Sequence, residues 1–132
     1  MSVGLLLITH NDLGSALLET ATKMLGSCPL LAETLAVTES VDLDLLRAQS
    51  RRMLEDLNRG QGVLVLTDMF GSTPANVATG LQQEGAVAVV AGVNLPMLVR
   101  VLNYPQLELQ ALSDKAISGG RDGVIFCHCH RE

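Results

Sequence analysis

Six consecutive residues near the start, Val3-Gly4-Leu5-Leu6-Leu7-Ile8, carry no polar side chain, and the run stops at Thr9-His10. A continuous apolar run this short reads as a β-strand buried on both faces, the situation of a strand inside a parallel sheet. An amphipathic helix or a half-exposed strand would interrupt it with polar residues. The run also lacks a preceding basic stretch and a small-residue cleavage site, so it reads as a strand rather than a signal peptide. In open α/β sheets, ligands bind outside the carboxyl ends of the strands. His10 is therefore expected at the mouth of the ligand crevice.

The pattern after His10 alternates. Ala16, Leu17, Leu18, Ala21, Met24 and Leu25 have the spacing of one helical face, with Asn11 or Asp12 as a cap and Gly26 as the stop. Leu31 to Val37, interrupted by Glu33 and Thr34, reads as an edge strand. Asp42 and Asp44 follow Ser40 and open a helix carrying Leu45, Leu46, Met53, Leu54 and Leu57. Gly62-Val63-Leu64-Val65-Leu66-Thr67 is the clearest central strand. Pro74 marks the first turn of a helix that continues through Val77, Ala78 and Leu81.

Ala86 to Ala91 makes a fourth buried strand, and Asn94-Leu95-Pro96 leads into a helix with Met97, Leu98, Val101 and Leu102. Leu107 to Ile117 is the last helix, Gly119-Gly120 punctuates, and Gly123 to Cys127 reads as a short final edge strand. Strands and helices alternating at this spacing imply a parallel sheet with right-handed crossovers. No repeat or linker divides the chain, so residues 1–132 are expected to form one domain. Met24, Met53, Met69 and Met97 read as core or rim packing.

In a doubly wound sheet the first and third long strands lie side by side at the switch point. Those strands end at His10 and Asp68. A carboxylate that accepts from one ring nitrogen fixes the tautomer and leaves the other nitrogen nucleophilic. The turn Phe70-Gly71-Ser72-Thr73 then offers backbone N–H groups, two hydroxyls and a helix N-terminus, which together favour phosphate. Simpler roles stand beside these: Asp68 as a cap of its turn, Ser72 and Thr73 as ordinary N-caps, and Asn94-Leu95-Pro96 as a helix entry at the crevice rim.

Composition narrows the function. Apolar residues make up 48% of the 132 residues and aromatics 2%, so Leu, Val, Ala and Met must build the core. The net charge of −5 with no basic stripe argues against nucleic acid. No apolar run is long enough to span a bilayer. Neither GxxxxGK[ST] nor GxGxxG occurs, so no nucleotide cofactor is expected. Three cysteines, Cys28, Cys127 and Cys129, make no disulfide framework and fit a reducing cytoplasm. In Cys127-His128-Cys129-His130, strand alternation would send the two Cys and the two His to opposite faces, so no metal is expected there.

Three blocks carry a resemblance: Thr9-His10, Asp68-Met69-Phe70-Gly71-Ser72-Thr73-Pro74-Ala75-Asn76, and Gly92-Val93-Asn94-Leu95-Pro96-Met97-Leu98. In order and spacing they resemble the EIIA domain of the mannose-type sugar phosphotransferase system. The resemblance implies a flavodoxin-like three-layer α/β sandwich with parallel strand order 2-1-3-4, and homodimers that exchange a C-terminal edge strand, here Gly123 to Cys127. It implies a cytoplasmic phosphotransferase in which His10 takes a phosphoryl group from the phosphocarrier protein HPr and gives it to a histidine of a IIB protein. A IIC/IID permease would be the only, indirect, link to a membrane. By matching positions Asp68 orients His10, the Phe70–Thr73 turn holds phosphate, and Asn11, Asn94, Leu95 and Pro96 face partners.

The chain departs from the family pattern at Asn11, where glycine is usual, and at Gly71-Ser72, where Gly-Gly is frequent. Asn tolerates left-handed backbone, so Asn11 can keep the turn. Two other roles share the histidine: a regulatory phosphorelay module without transport, and the phosphocarrier domain serving dihydroxyacetone kinase.

Overall fold

The computed structural model describes residues 2–128. Its centre is β1 (Gly4–His10), paired in parallel with β2 (Ala32–Val37) on one side and β3 (Val63–Thr67) on the other; β4 (Val87–Ala91) lies beyond β3. The strand order is thus β2-β1-β3-β4, as the resemblance implies. Ile8 stands opposite both Leu35 and Thr67, and His10 opposite Val37. The carboxyl ends of β1, β2 and β3 therefore open on one edge.

Strand alternation divides the apolar residues between two helix layers. Leu5, Leu7, Leu64 and Leu66 pack with α1 (Leu13–Leu25), α4 (Leu95–Leu102) and α5 (Leu109–Asp122), meeting Ala21, Leu98, Val101, Leu112 and Ala116. Leu6, Ile8, Val63 and Val65 pack with α2 (Leu43–Leu57) and α3 (Thr73–Gly80), meeting Leu46, Leu54, Leu57, Val77 and Ala78. With both faces covered, Leu5 to Ile8 are fully buried. Each such side chain stabilises the fold by roughly 1.5–3 kcal/mol. The flavodoxin-like sandwich follows directly from the unbroken apolar runs.

Several local expectations need correction. Met24 is exposed, and the buried face of α1 runs through Gly14 and Ala21 with Leu17, Leu18 and Leu25 partly covered. Met69 and Leu45 are exposed as well, whereas Met97 is buried. The α2 cap is Asp42, whose carboxylate accepts from Asp44 N–H (3.0 Å) and Leu45 N–H (3.4 Å).

The larger difference is at the C-terminal end. Gly119-Gly120 does not end the last helix; α5 runs through both to Asp122. A Cβ at Gly119 would stand 2.5 Å from Arg100 Cβ, and one at Gly120 2.8 Å from Met97 Cε. The glycines let α5 press against α4, a packing need that local propensity misreads as a stop. Residues 124–128 form no strand in this chain, and Val124, Ile125 and Phe126 are exposed. The sheet edge beyond β3 is therefore β4, whose residues other than Val90 are only half-buried. Cys129 and His130 of the tail lie outside the described residues.

Candidate active site

His10 is the last residue of β1, and the rigid buried run behind it fixes its backbone. Asp68 follows β3 directly. Its Oδ2 accepts from the His10 backbone N–H at 3.0 Å and lies 2.8 Å from His10 Nδ1. The paired ends of β1 and β3 thus bring the two side chains together as expected. With Nδ1–H donating to the carboxylate, Nε2 of the neutral ring keeps its lone pair.

The Asp68 side chain is about nine-tenths buried, and Oδ1 has no hydrogen-bond partner among the described residues. Burial alone would push the carboxyl group up. The hydrogen bonds from the His10 ring and backbone, its own backbone N–H and the His10 charge outweigh that, and the group is held below its ordinary value.

The loop after β1 is also built to hold position. Asn11 N–H donates to Val37 O at 3.0 Å, and Gly14 N–H donates to the buried Thr9 Oγ1 at 2.8 Å. Thr9 thus supplies the α1 start with a partner, since Asp12 makes no side-chain cap bond. The fit at Gly14 is close as well, since a Cβ there would lie 3.0 Å from Thr9 Oγ1 and crowd that bond.

The His10 ring lines a cleft of about 400 Å³ with Asn11, Val37, Thr38, Glu39, Val41, Leu43 and Thr73. Thr38, Glu39, Val41 and Leu43 are site residues that sequence reasoning missed. The available signal was their place in the loop after β2, and for Leu43 at the start of the α2 that follows it, on the same sheet edge as His10.

The Phe70–Thr73 turn divides. Thr73 enters the cleft, and its hydroxyl has no partner among the described residues. Gly71 takes φ 81°, the left-handed backbone that turns the chain into α3. Ser72 donates both its hydroxyl (2.6 Å) and its N–H (3.3 Å) to Met69 O, so its hydroxyl is committed to the turn rather than offered to a ligand. Phe70 is 89% exposed and stands outside the cleft.

Asn94, Leu95 and Pro96 are not brought to the His10 cleft. Asn94 caps α4 by accepting from Met97 N–H (2.9 Å), and its amide donates to Gly120 O (3.1 Å). It lines a separate cavity of about 450 Å³ beside β4, with Arg121 and Val124. Among the described residues no three His, Cys, Asp or Glu side chains gather as metal ligands, and no helix is long and apolar enough to cross a membrane.

A family described as "PTS system fructose IIA component" matches residues 4–117. The chain is 33% identical over 116 residues to the transcriptional regulatory protein LevR of Bacillus subtilis, covering 83% of this chain and 12% of LevR. It is 32% identical over 133 residues to the mannose-specific EIIAB component of Escherichia coli K12, covering 94% of this chain and 39% of that protein. The chain thus spans well under half the length of either relative. The mannose/sorbose-specific IIA subunit from Enterococcus faecalis superposes with a TM-score of 0.89 at 25% identity, covering 100% and 99% of the two chains.

Proposed function

Because the chain belongs to the family of PTS system fructose IIA components, we propose that it is a phosphocarrier in which His10 takes a phosphoryl group from phospho-HPr and passes it to a histidine of a IIB protein. The observation that carries this is the two-point hold of Asp68 on His10. It leaves Nε2 as the nucleophile at the crevice mouth. In the transfer, the Nε2–P bond forms as the donor's N–P bond breaks in line, and the electron pair of that bond returns to the donor ring. The proton stays on Nδ1, hydrogen-bonded to Asp68, so the phosphorylated ring is an imidazolium balanced by that carboxylate; a donor ring protonated on its other nitrogen leaves as neutral imidazole, and no proton shuttle is needed.

Thr73 Oγ1 and the N–H groups of Gly71 and Thr73 at the start of α3 are the donors assigned to the phosphoryl oxygens, and they act without a metal. Residues 1–132 act as one EIIA domain in the cytoplasm, and a permease is reached only through the IIB partner. Two copies would pair by laying the exposed Val124–Phe126 segment of each along the β4 edge of the other. The open strand edge and the uncovered apolar tail support that pairing.

The test is incubation with enzyme I, HPr and phosphoenolpyruvate. Acid-labile label on the wild-type chain and none on His10→Ala is the expected result; label that survives in His10→Ala sinks the assignment. The similarity to LevR favours one second reading, a regulatory module whose phosphorylated state is sensed rather than passed on. Transfer of label from the loaded chain to a IIB protein separates the two.

A further inference from the structure

Among the described residues, Asn11 is the one non-glycine residue with left-handed backbone, at φ 50°. Glycine would meet that backbone demand at lower cost than any L-residue, asparagine included. The turn itself is anchored by main chain, through Asn11 N–H on Val37 O. The backbone therefore gives no reason for a side chain here. Yet the carboxamide is present, makes no hydrogen bond among the described residues, and lines the cleft beside His10 and Thr73.

The charges around that cleft give it a use. Among the described residues no Lys or Arg lines it, while Glu39 does, and Asp68 sits directly behind the ring. With Asp68 paired to the ring, a phosphoryl dianion on Nε2 would face the Glu39 carboxylate and no Lys or Arg among the described residues. Its negative charge must then be met by neutral donors, and the cleft side chains that can supply them are the Thr38 and Thr73 hydroxyls and the Asn11 amide. The anchored turn already holds the Asn11 backbone beside His10, which reduces the reorganisation its side chain must make to meet the arriving charge.

We propose that Asn11 is a catalytic residue whose carboxamide N–H donates to the phosphoryl oxygens as they reach His10. This rests on His10 being the phosphoryl acceptor.

Single-turnover transfer from saturating phospho-HPr to wild type, Asn11→Gly and Asn11→Asp tests it. Asn11→Gly keeps the turn and should fold at least as stably, while its transfer rate falls about tenfold, the usual effect of losing one hydrogen bond to a charged group. Asn11→Asp should be slower still and recover as pH falls through the carboxylate range, because the added charge then disappears. A purely structural role moves neither the rate of the glycine variant nor the pH profile of the aspartate one. The proposal is overturned if Asn11→Gly transfers within about twofold of wild type at saturation, including when only its KM for phospho-HPr has risen. It is equally overturned if the two variants behave alike at every pH. A wild-type chain that takes no label at His10 instead removes the acceptor reading on which all of this stands.

Discussion

One oxygen of Asp68, Oδ2, holds His10 at two points, 3.0 Å from its backbone N–H and 2.8 Å from Nδ1. The first bond sets where the residue sits and the second sets which ring nitrogen carries the proton. Asp68→Asn keeps the shape but weakens the charge-assisted bond and permits the amide to face the ring with its NH₂. Bonds of this kind contribute about 1.5–3 kcal/mol, which corresponds to a loss of roughly 10- to 150-fold in transfer rate. Nitrogen NMR of the histidine ring is the independent check: wild type should show the Nδ1–H tautomer, and the variant a mixture. An unchanged tautomer in Asp68→Asn would falsify the orienting role.

The same bonds make stability depend on pH in a defined direction. The Asp68 carboxyl group is held below its ordinary value in the folded chain. Its unfolded value is about 3.9. Ionised Asp68 therefore stabilises the fold at pH above about 4, and this contribution is lost as pH falls through the lower folded value. Urea unfolding midpoints of wild type and Asp68→Asn should differ most near neutrality and converge as the pH falls through and below the ordinary carboxylate range. A gap that stays constant or widens on acidification contradicts the assignment.

What the sequence revealed, and what it hid, follows from which interactions are local. The run Leu5–Ile8 declares a doubly covered strand because burial on both faces leaves no room for a polar residue. His10 and Asp68 were legible because each ends such a run, and strand order alone makes those ends neighbours. The loop after β2 was not legible as part of the site. Thr38, Glu39 and Val41 resemble any solvated loop until the register with β1 places them beside His10. A hydroxyl in an anion-binding turn looks available to a ligand from sequence alone, and only the geometry shows Ser72 donating to Met69 O. Asn94 was placed on the rim for a similar reason, although its side chain ties α4 to α5.

Adjacent hydroxyls should consequently respond differently to removal. Thr73 offers its hydroxyl to the cleft, whereas that of Ser72 is engaged inside the turn. Thr73→Val should leave the unfolding midpoint nearly unchanged and slow phosphoryl transfer about tenfold. Ser72→Ala should reduce stability by about 0.5–1.5 kcal/mol, the net worth of an ordinary hydrogen bond, with a smaller effect on transfer. Reversal of that order, with Ser72→Ala slower in transfer than Thr73→Val, would return the phosphate-facing role to Ser72.

The contact between α4 and α5 is set by small residues rather than by hydrophobic match. At Gly119 an added Cβ would meet Arg100 Cβ at 2.5 Å and Pro96 O at 3.3 Å, and neither backbone nor Cβ atoms can swing aside. Gly119→Ala should therefore force the helices apart and cost about 1–3 kcal/mol, the range for overpacking a tight interface. Gly80 is the matched control. It sits at the end of α3 with ordinary helical backbone, φ −59° and ψ −26°, and a Cβ there meets nothing within 4 Å. Gly80→Ala should instead raise stability by about 0.4–1 kcal/mol by restricting the unfolded chain. Chemical denaturation of both variants decides the matter. Equal effects of the same sign would mean that α5 does not continue through Gly119 in close contact with α4, and that the pair ends the helix as its sequence first suggests.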